Sequence, residues 1–321
     1  MNPKLIKVLK IILPLALGVF LIWYSIYSAT EEERQKTLQY ILQANPKWIL
    51  LSLAMGITSH ISRAYRWRFL MEPMGYSIKL SNSFMAVMIG YLANLGIPRS
   101  GELLRGGTIS TYEDIPFKKA FGTIISERVI DLVMLLIVIT ITLLLQSENL
   151  LSYFDENIAS PLVFLIIIVI GVILGVLFLR IIKKSKHPIL IKIKNFGEGL
   201  LEGIKSITRI KHKKAFIFHT FLIWFLYIFM FYVIKFTVPE TASLSIGPIL
   251  ATFVAGTFAM TTTNGGIGAF PLAIAAILVI FDVEKPAGEA FGWILWGSQT
   301  AINIIIGALS FLFLPILNRE R

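Results

Sequence analysis

Long apolar stretches with almost no charge are the feature that most constrains this chain. Residues 161–182 and 215–234 are two of them, and each has the length of about 20 residues that an α-helix needs to cross the hydrocarbon core of a bilayer. An α-helix satisfies its own backbone hydrogen bonds in that core, which offers no other partner to the backbone. Of the 321 residues, 56% are apolar and 15% are charged, whereas soluble proteins carry roughly 25% charged residues. The sequence therefore predicts an all-α polytopic membrane protein.

Six stretches are predicted to span the membrane, and two further segments are predicted to enter and leave it on the same side. The spans lie near residues 8–27, 48–70, 120–145, 161–182, 215–236 and 287–314. The predicted topology places the chain on the cytoplasmic side both before and after residues 83–117. It places the chain outside both before and after residues 248–281. Each of these two segments is therefore predicted to form a re-entrant helical hairpin.

The distribution of positive charge predicts the orientation. Most of the 30 Lys and Arg residues fall on one side of the predicted topology, and a surplus of positive charge marks the cytoplasmic side. We therefore expect both termini to be cytoplasmic and the protein to reside in the cytoplasmic (inner) membrane. The net charge of +11 suits contact with anionic lipid headgroups, so the membrane is an expected partner and nucleic acid is not.

The order of spans and hairpins is the same in residues 1–158 and 159–321, but it begins on opposite sides of the membrane. This order indicates an inverted-topology repeat, which is typical of secondary transporters with a site near the membrane midplane. Six spans and two buried loops without symmetry are the alternative. The whole chain, residues 1–321, is predicted to be a single membrane domain, with residues 187–211 as a cytoplasmic amphipathic connector.

The tip of the first hairpin carries a charged motif. Pro98 suits the first position of a helix, so a short helix is predicted to begin there with Arg99, Glu102 and Arg105 on roughly one face. The N-terminus of that helix would present amides and a positive dipole end to an anion. Arginine is the side chain best suited to bidentate phosphate binding, so this tip is a candidate phosphate site.

The span at residues 120–145 contains Glu127, Arg128 and Asp131. An ionised side chain at the centre of a lone span costs about 2.5–3.5 kcal/mol, so these groups need compensation. Two interpretations stay open. In the first, the acids and arginines of span and hairpin neutralise one another and fix the hairpin to the span. In the second, the acids position the arginines, and some guanidinium donors bind a lipid phosphate.

Arg63 and Arg66 lie on one face at the cytoplasmic end of the second predicted span. They are expected either to extend toward anionic headgroups or to form the mouth through which a headgroup reaches a lipid path.

The second hairpin breaks at a glycine-rich tip. Its candidate site residues are Asn264, Gly265, Gly266 and Gly268. Glycine permits unusual backbone dihedrals, and exposed amides at such a tip can form an anion nest. A tight buried turn is the alternative.

Little in the sequence points to catalysis. The chain has no cysteine and only four histidines, so no catalytic residue, no metal site and no cofactor are predicted. Gln299 and Asn303, in the last span, are expected to join helices by hydrogen bonds, and His60 is expected to be structural.

Three motifs together resemble the lysylphosphatidylglycerol synthase transmembrane-region family, also called flippase-like domain proteins. They are Pro98-Arg-Ser-Gly-Glu102-Leu-Leu-Arg105, Glu127-Arg128-Val-Ile-Asp131 and Gly265-Gly-Ile-Gly268, and Arg63-x-x-Arg66-Trp67 fits as well. The resemblance implies a membrane domain that translocates phospholipids, notably aminoacylated phosphatidylglycerol; relatives are associated with polyprenyl-lipid glycosylation. Because the chain shows no soluble aminoacyl-transferase domain, synthesis of lysyl-lipid is not expected. Phe270-Pro271 stand where many members carry an acid, so the chain departs from the family pattern at this position.

The sequence favours translocation of a phosphate-bearing lipid, with a phospholipid or polyprenyl-phosphate lipid as partner. In this function Arg99, Arg105 and Arg128 would bind the phosphate, and the neighbouring acids would hold the arginines. The two hairpin tips would meet near the midplane and gate from opposite faces. A membrane enzyme or accessory subunit acting on polyprenyl-phosphate or aminoacylated lipids is the alternative, as is a non-catalytic envelope scaffold. A lipid-modifying enzyme is a further expected partner.

Overall fold

The computed structural model describes residues 3–97, 99–146 and 210–319 of the chain, with side chains from residue 12 onward. Ten α-helices and several short 3₁₀ turns make up these residues, and no strand occurs among them. The helices are α1 (Pro3–Ser28), α2 (Glu31–Gln43), α3 (Pro46–Met71), α4 (Leu80–Gly96), α5 (Ser100–Tyr112), α6 (Phe117–Leu145), α7 (Lys213–Ile234), α8 (Ile246–Thr262), α9 (Ala269–Val279) and α10 (Lys285–Leu317). The predicted span at 161–182 and almost all of the predicted connector at 187–211 lie outside the described residues.

The helices confirm an all-α membrane protein. Within the described part of the chain, α6, α7 and α10 are each long and apolar enough to cross a bilayer. A fourth crossing is formed if α1 and α2, which meet at an angle of 115°, count as one bent span. Helix α3 occupies the second predicted span but carries Arg63, Arg66 and Arg68. The count of six spans therefore stays a prediction.

The chain forms two compact units, which we describe separately. The first contains Met1–Ile124 and Ile210–Arg321, and the second contains Ile125–Arg209, of which the structure describes residues 125–146. In the first unit, α3 packs against α7 and α4, and α10 packs against α2, α4 and α9. The single domain and the inverted repeat stay predictions.

Helix α2 is absent from the predictions above. A capping box begins it: Thr30 Oγ1 accepts a hydrogen bond from the Glu33 amide at 3.2 Å, and the Glu33 carboxylate accepts one from the Thr30 amide at 2.8 Å. No residue of α2 is buried. Its first seven residues include no apolar side chain, so the first half of the helix lacks the apolar stripe by which helices are usually recognised in a sequence.

Both segments predicted to be hairpins consist of two helices separated by a short break. Helix α4 packs against α5, and α8 packs against α9. In the first pair the backbones approach closely, because a Cβ atom on Gly101 would lie 2.2 Å from the Gly90 carbonyl oxygen. A larger residue at Gly101 would push the two helices apart.

Candidate functional site

The break between α4 and α5 contacts the break between α8 and α9. Asn264 Nδ2 donates a hydrogen bond to the Gly96 carbonyl oxygen over 3.3 Å. Gly265 faces Leu95 so closely that a Cβ atom there would lie 2.6 Å from Leu95 Cδ2. The two breaks therefore contact each other, whereas their identity as re-entrant tips and their depth in the membrane stay predictions.

The second break is a tight turn that depends on glycine. Gly265, Gly266 and Gly268 have φ values of 61°, 79° and 69°, in the left-handed region that glycine adopts without a steric penalty. Neighbouring helices also close around this turn. A Cβ atom on Gly268 would lie 2.5 Å from the Gly18 carbonyl oxygen of α1, and Trp296 Nε1 of α10 donates to the Gly265 carbonyl oxygen at 2.7 Å.

The first break differs from its prediction in two ways. Helix α5 begins at Ser100 with Arg99 as its N-cap, and Arg99 has a φ of 63°. Arg99 therefore precedes the helix and does not share a helical face with Glu102 and Arg105. In addition, the Gly101 amide donates to Asn94 Oδ1 at 2.8 Å. This amide therefore bonds within the protein, and an anion site at the remaining amides of the first turn stays a prediction.

Arg63 and Arg66 of α3 are buried, not extended toward headgroups. Arg63 Nη2 donates to the Tyr227 hydroxyl at 3.3 Å, and Arg66 Nη1 donates to Thr220 Oγ1 at 3.2 Å. Both partners lie on α7, which packs along α3. The expectation that these arginines extend to the membrane surface is wrong, because α7 covers the face on which they lie.

Arg105 of α5 is also buried. Its guanidinium carbon lies 3.9 Å from the centroid of the Trp67 ring on α3, and Trp67 Nε1 donates to Thr123 Oγ1 at 2.8 Å. A desolvated cation–π contact of this kind contributes about 2 kcal/mol or more. The contact places the arginine of the first hairpin beside the arginine-bearing end of α3.

Polar side chains on four helices extend this region, and the sequence analysis did not recognise most of them as part of a site. The Tyr91 and Tyr227 hydroxyls lie 3.3 Å apart, and the His60 ring packs on Tyr91 with centroids 4.5 Å apart. His60 Nε2 lies 3.1 Å from Asn303 Oδ1, and Gln299 Nε2 donates to the Ser52 carbonyl oxygen at 3.1 Å. The predicted role of Gln299 and Asn303 in joining helices is confirmed. Since these residues come from separate helices, no local motif reveals the group.

In the second unit, α6 carries Glu127, Arg128 and Asp131. The Arg128 guanidinium lies 3.9 Å from the Asp131 carboxylate, one helical turn away, as their spacing predicts. Mutual neutralisation with Arg99, Glu102 and Arg105, or phosphate binding together with them, stays a prediction. Among the residues that the structure describes, no cluster of three or more His, Asp or Glu residues is placed to hold a metal ion.

The long apolar helices identify the chain as an α-helical membrane protein. The buried arginines and the two contacting helix breaks form its candidate site. The family described as lysylphosphatidylglycerol synthase TM region matches residues 11–307, and the chain belongs to this family. Over 99 residues the chain is 31% identical to the UPF0104 membrane protein MJ1595 of Methanocaldococcus jannaschii; this match spans 30% of either chain. No solved structure matches the chain significantly.

Proposed function

We propose that this protein moves a phosphate-bearing lipid across the cytoplasmic membrane. The observation that carries the proposal is the contact between the two helix breaks through Asn264 and Gly96. In secondary transporters, broken helices that meet inside the membrane form the substrate site. The family named for the membrane region of a lipid synthase supports a lipid as the substrate.

Helix lengths support two re-entrant hairpins. Helices α4 and α8 have 17 residues each, α5 has 13 and α9 has 11, whereas a straight span needs about 20. Each pair is therefore proposed to enter the membrane and turn back at its break, one pair from each side. The proposed topology has six spans, one of them at residues 161–182. It contains an inverted repeat of residues 1–158 and 159–321, and both termini are cytoplasmic.

The buried arginines are proposed to bind the phosphate group of the lipid. Arg105, Arg63 and Arg66 lie out of water, where hydrogen bonds from a guanidinium to a phosphate gain strength. Arg99 and Arg128 are proposed to contribute further donors, and Glu102, Glu127 and Asp131 to hold the arginines in place. The lipid tails would stay in the bilayer while the headgroup passes between the two breaks.

Reconstitution into liposomes tests this function. Headgroup-labelled phosphatidylglycerol, lysyl-phosphatidylglycerol, phosphatidylcholine and a polyprenyl phosphate would be followed across the bilayer in parallel. We expect one phosphate-bearing class to move faster with the protein than without it. In Arg105→Lys, which keeps the charge over Trp67 but loses bidentate geometry, the rate should fall about tenfold.

Arg68→Lys is the matched control, because Arg68 also lies over an aromatic ring, that of Tyr65, at 5.3 Å. Its transport rate should equal that of the wild type. Equal rates in the two lysine variants would contradict the assignment of Arg105 to the site. Conversion of a labelled lipid into a new product, without movement across the bilayer, would contradict transport and show that the protein is an enzyme.

A further inference from the structure

The side-chain oxygens of two asparagines distinguish the two helix breaks. Asn94 Oδ1 accepts the Gly101 amide at the first break. At the second break, Asn264 is only 1% exposed, and its Oδ1 accepts no hydrogen bond from the described residues. The amide group of Asn264 donates to Gly96, which sets the orientation of the side chain. A buried acceptor without a donor is costly, so this oxygen points to a ligand.

The surroundings of Asn264 favour a positive ligand. Helix α4 ends at Gly96 and α8 ends at Thr262, so the carbonyl ends of two helices meet at this asparagine. A helix C-terminus carries a partial negative charge and leaves its last carbonyl oxygens without an intrahelical donor. The Gly101 amide, at the N-terminus of α5, is already bonded to Asn94. Backbone carbonyl oxygens of the second break, such as that of Gly265, already accept one hydrogen bond but keep a second lone pair, so they can still join Asn264 Oδ1 as ligands.

The charge of the ligand follows from the sequence of the break. Residues 246–281, which include α8, the break and α9, contain no charged side chain. Divalent cations in proteins are usually held by carboxylates together with neutral oxygens. A site built from neutral oxygens alone suits a monovalent cation, and unwound backbone carbonyls coordinate Na⁺ in this way in secondary transporters.

We propose that the α8–α9 break binds a monovalent metal cation such as Na⁺, with Asn264 Oδ1 as one of its ligands. Binding of this cation is independent of lipid transport. Its use as the coupling ion of transport rests on the function proposed above.

Thermal unfolding of the purified full-length protein tests the cation site. NaCl would be compared with choline chloride at equal ionic strength, with KCl and LiCl as further salts. Na⁺ at about tenfold above its dissociation constant should raise the Tm by about 3 °C, and choline should not. The same shift with choline, or the same Na⁺ shift in Asn264→Leu, would overturn the proposal.

Two further variants separate cation binding from the structural role of Asn264. Asn264→Asp loses the donor to Gly96, as Asn264→Leu does, but it keeps an oxygen and adds a negative charge. The half-saturating Na⁺ concentration should therefore fall in Asn264→Asp, whereas a rise would contradict the proposal. Asn303→Leu, which removes the contact of another asparagine with His60, should keep the Na⁺ shift of the wild type.

Cation binding and lipid transport can fail separately. A Na⁺-dependent Tm without lipid movement would support the cation site and contradict lipid transport. Lipid movement without a Na⁺-dependent Tm would support lipid transport and contradict the cation site. If both hold, an imposed Na⁺ gradient should change the transport rate about fivefold, and this effect should be lost in Asn264→Leu. An unchanged rate would rule out coupling.

Discussion

The two helix breaks have related sequences but different structures. Asn94-Leu-Gly96-Ile97 precedes the turn of the first, and Asn264-Gly-Gly266-Ile267 forms the turn of the second. The first break is closed by side chains, since Asn94 and Ser100 bond to the backbone around it. The second is formed by glycines with positive φ, and the Trp296 indole donates a hydrogen bond to the Gly265 carbonyl oxygen within it.

The same local sequence pattern thus gives the two asparagines different hydrogen-bond partners. Where the asparagine caps the following helix, its oxygen is used and charged residues follow, among them Glu102 and the buried Arg105. Where glycines make the turn, the asparagine reaches the other break and its oxygen remains available to a ligand. We therefore expect the first break to act on the lipid phosphate and the second on a cation.

The largest effect is expected for Gly101→Ala in the first break. The added Cβ atom would lie 2.2 Å from the Gly90 carbonyl oxygen and 2.6 Å from Asn94 Nδ2, so the helices must move apart and the cap is strained. Such overpacking costs about 1–3 kcal/mol or more. Thermal unfolding monitored by size-exclusion chromatography should show a much lower Tm or loss of the folded protein.

Gly107→Ala is the control for this variant, because Gly107 lies on the same helix and a Cβ atom there would meet nothing within 4 Å. Alanine is favoured over glycine in a helix by about 0.5–1 kcal/mol, so Gly107→Ala should be neutral or stabilising. Similar losses in both variants would show that the close contact between α4 and α5 does not matter.

Gly265→Ala should have a smaller effect, because part of the strain can relax. The residue has a φ of 61°, which costs a non-glycine residue about 1–2 kcal/mol, but its steric clash is with the flexible Leu95 side chain. Leu95→Ala should remove the clash and leave the cost of the backbone conformation. The double-mutant cycle, measured by thermal unfolding, should give a coupling of about 0.5–1 kcal/mol. Strict additivity would contradict the contact between the two breaks.

Much of the fold could be predicted because the apolar stretches determine it directly. Helices α6, α7 and α10 lie within a few residues of the predicted spans, and both breaks lie where Pro98 and the glycines predict them. Helix α2 was missed because its stability depends on a capping box and on packing against α10, not on an apolar stripe of its own. Its Thr30–Glu33 spacing was the available signal.

The candidate site was less predictable because tertiary contacts create it. Arg63 and Arg66 look in sequence like residues at the end of a span, and only the packing of α7 shows that they are buried. The contact of Arg105 with Trp67, and the group formed by His60, Tyr91 and Tyr227, join helices far apart in the chain. Hydrophobic periodicity carries no information about such pairings.

The smallest effect is expected for Trp296→Phe, which removes one hydrogen bond from the second break. Trp296 Nε1 donates to the Gly265 carbonyl oxygen at 2.7 Å, and a typical hydrogen bond contributes about 0.5–1.5 kcal/mol. Phenylalanine keeps an aromatic ring at this position, so the fold should persist with a slightly lower Tm. Because the released carbonyl oxygen lies next to Asn264, the Na⁺-dependent shift in Tm should persist or grow. Trp293→Phe is the control and should keep the Na⁺-dependent shift. Loss of the shift in Trp296→Phe alone would contradict this expectation. It would show that cation binding needs the indole to hold the turn in place.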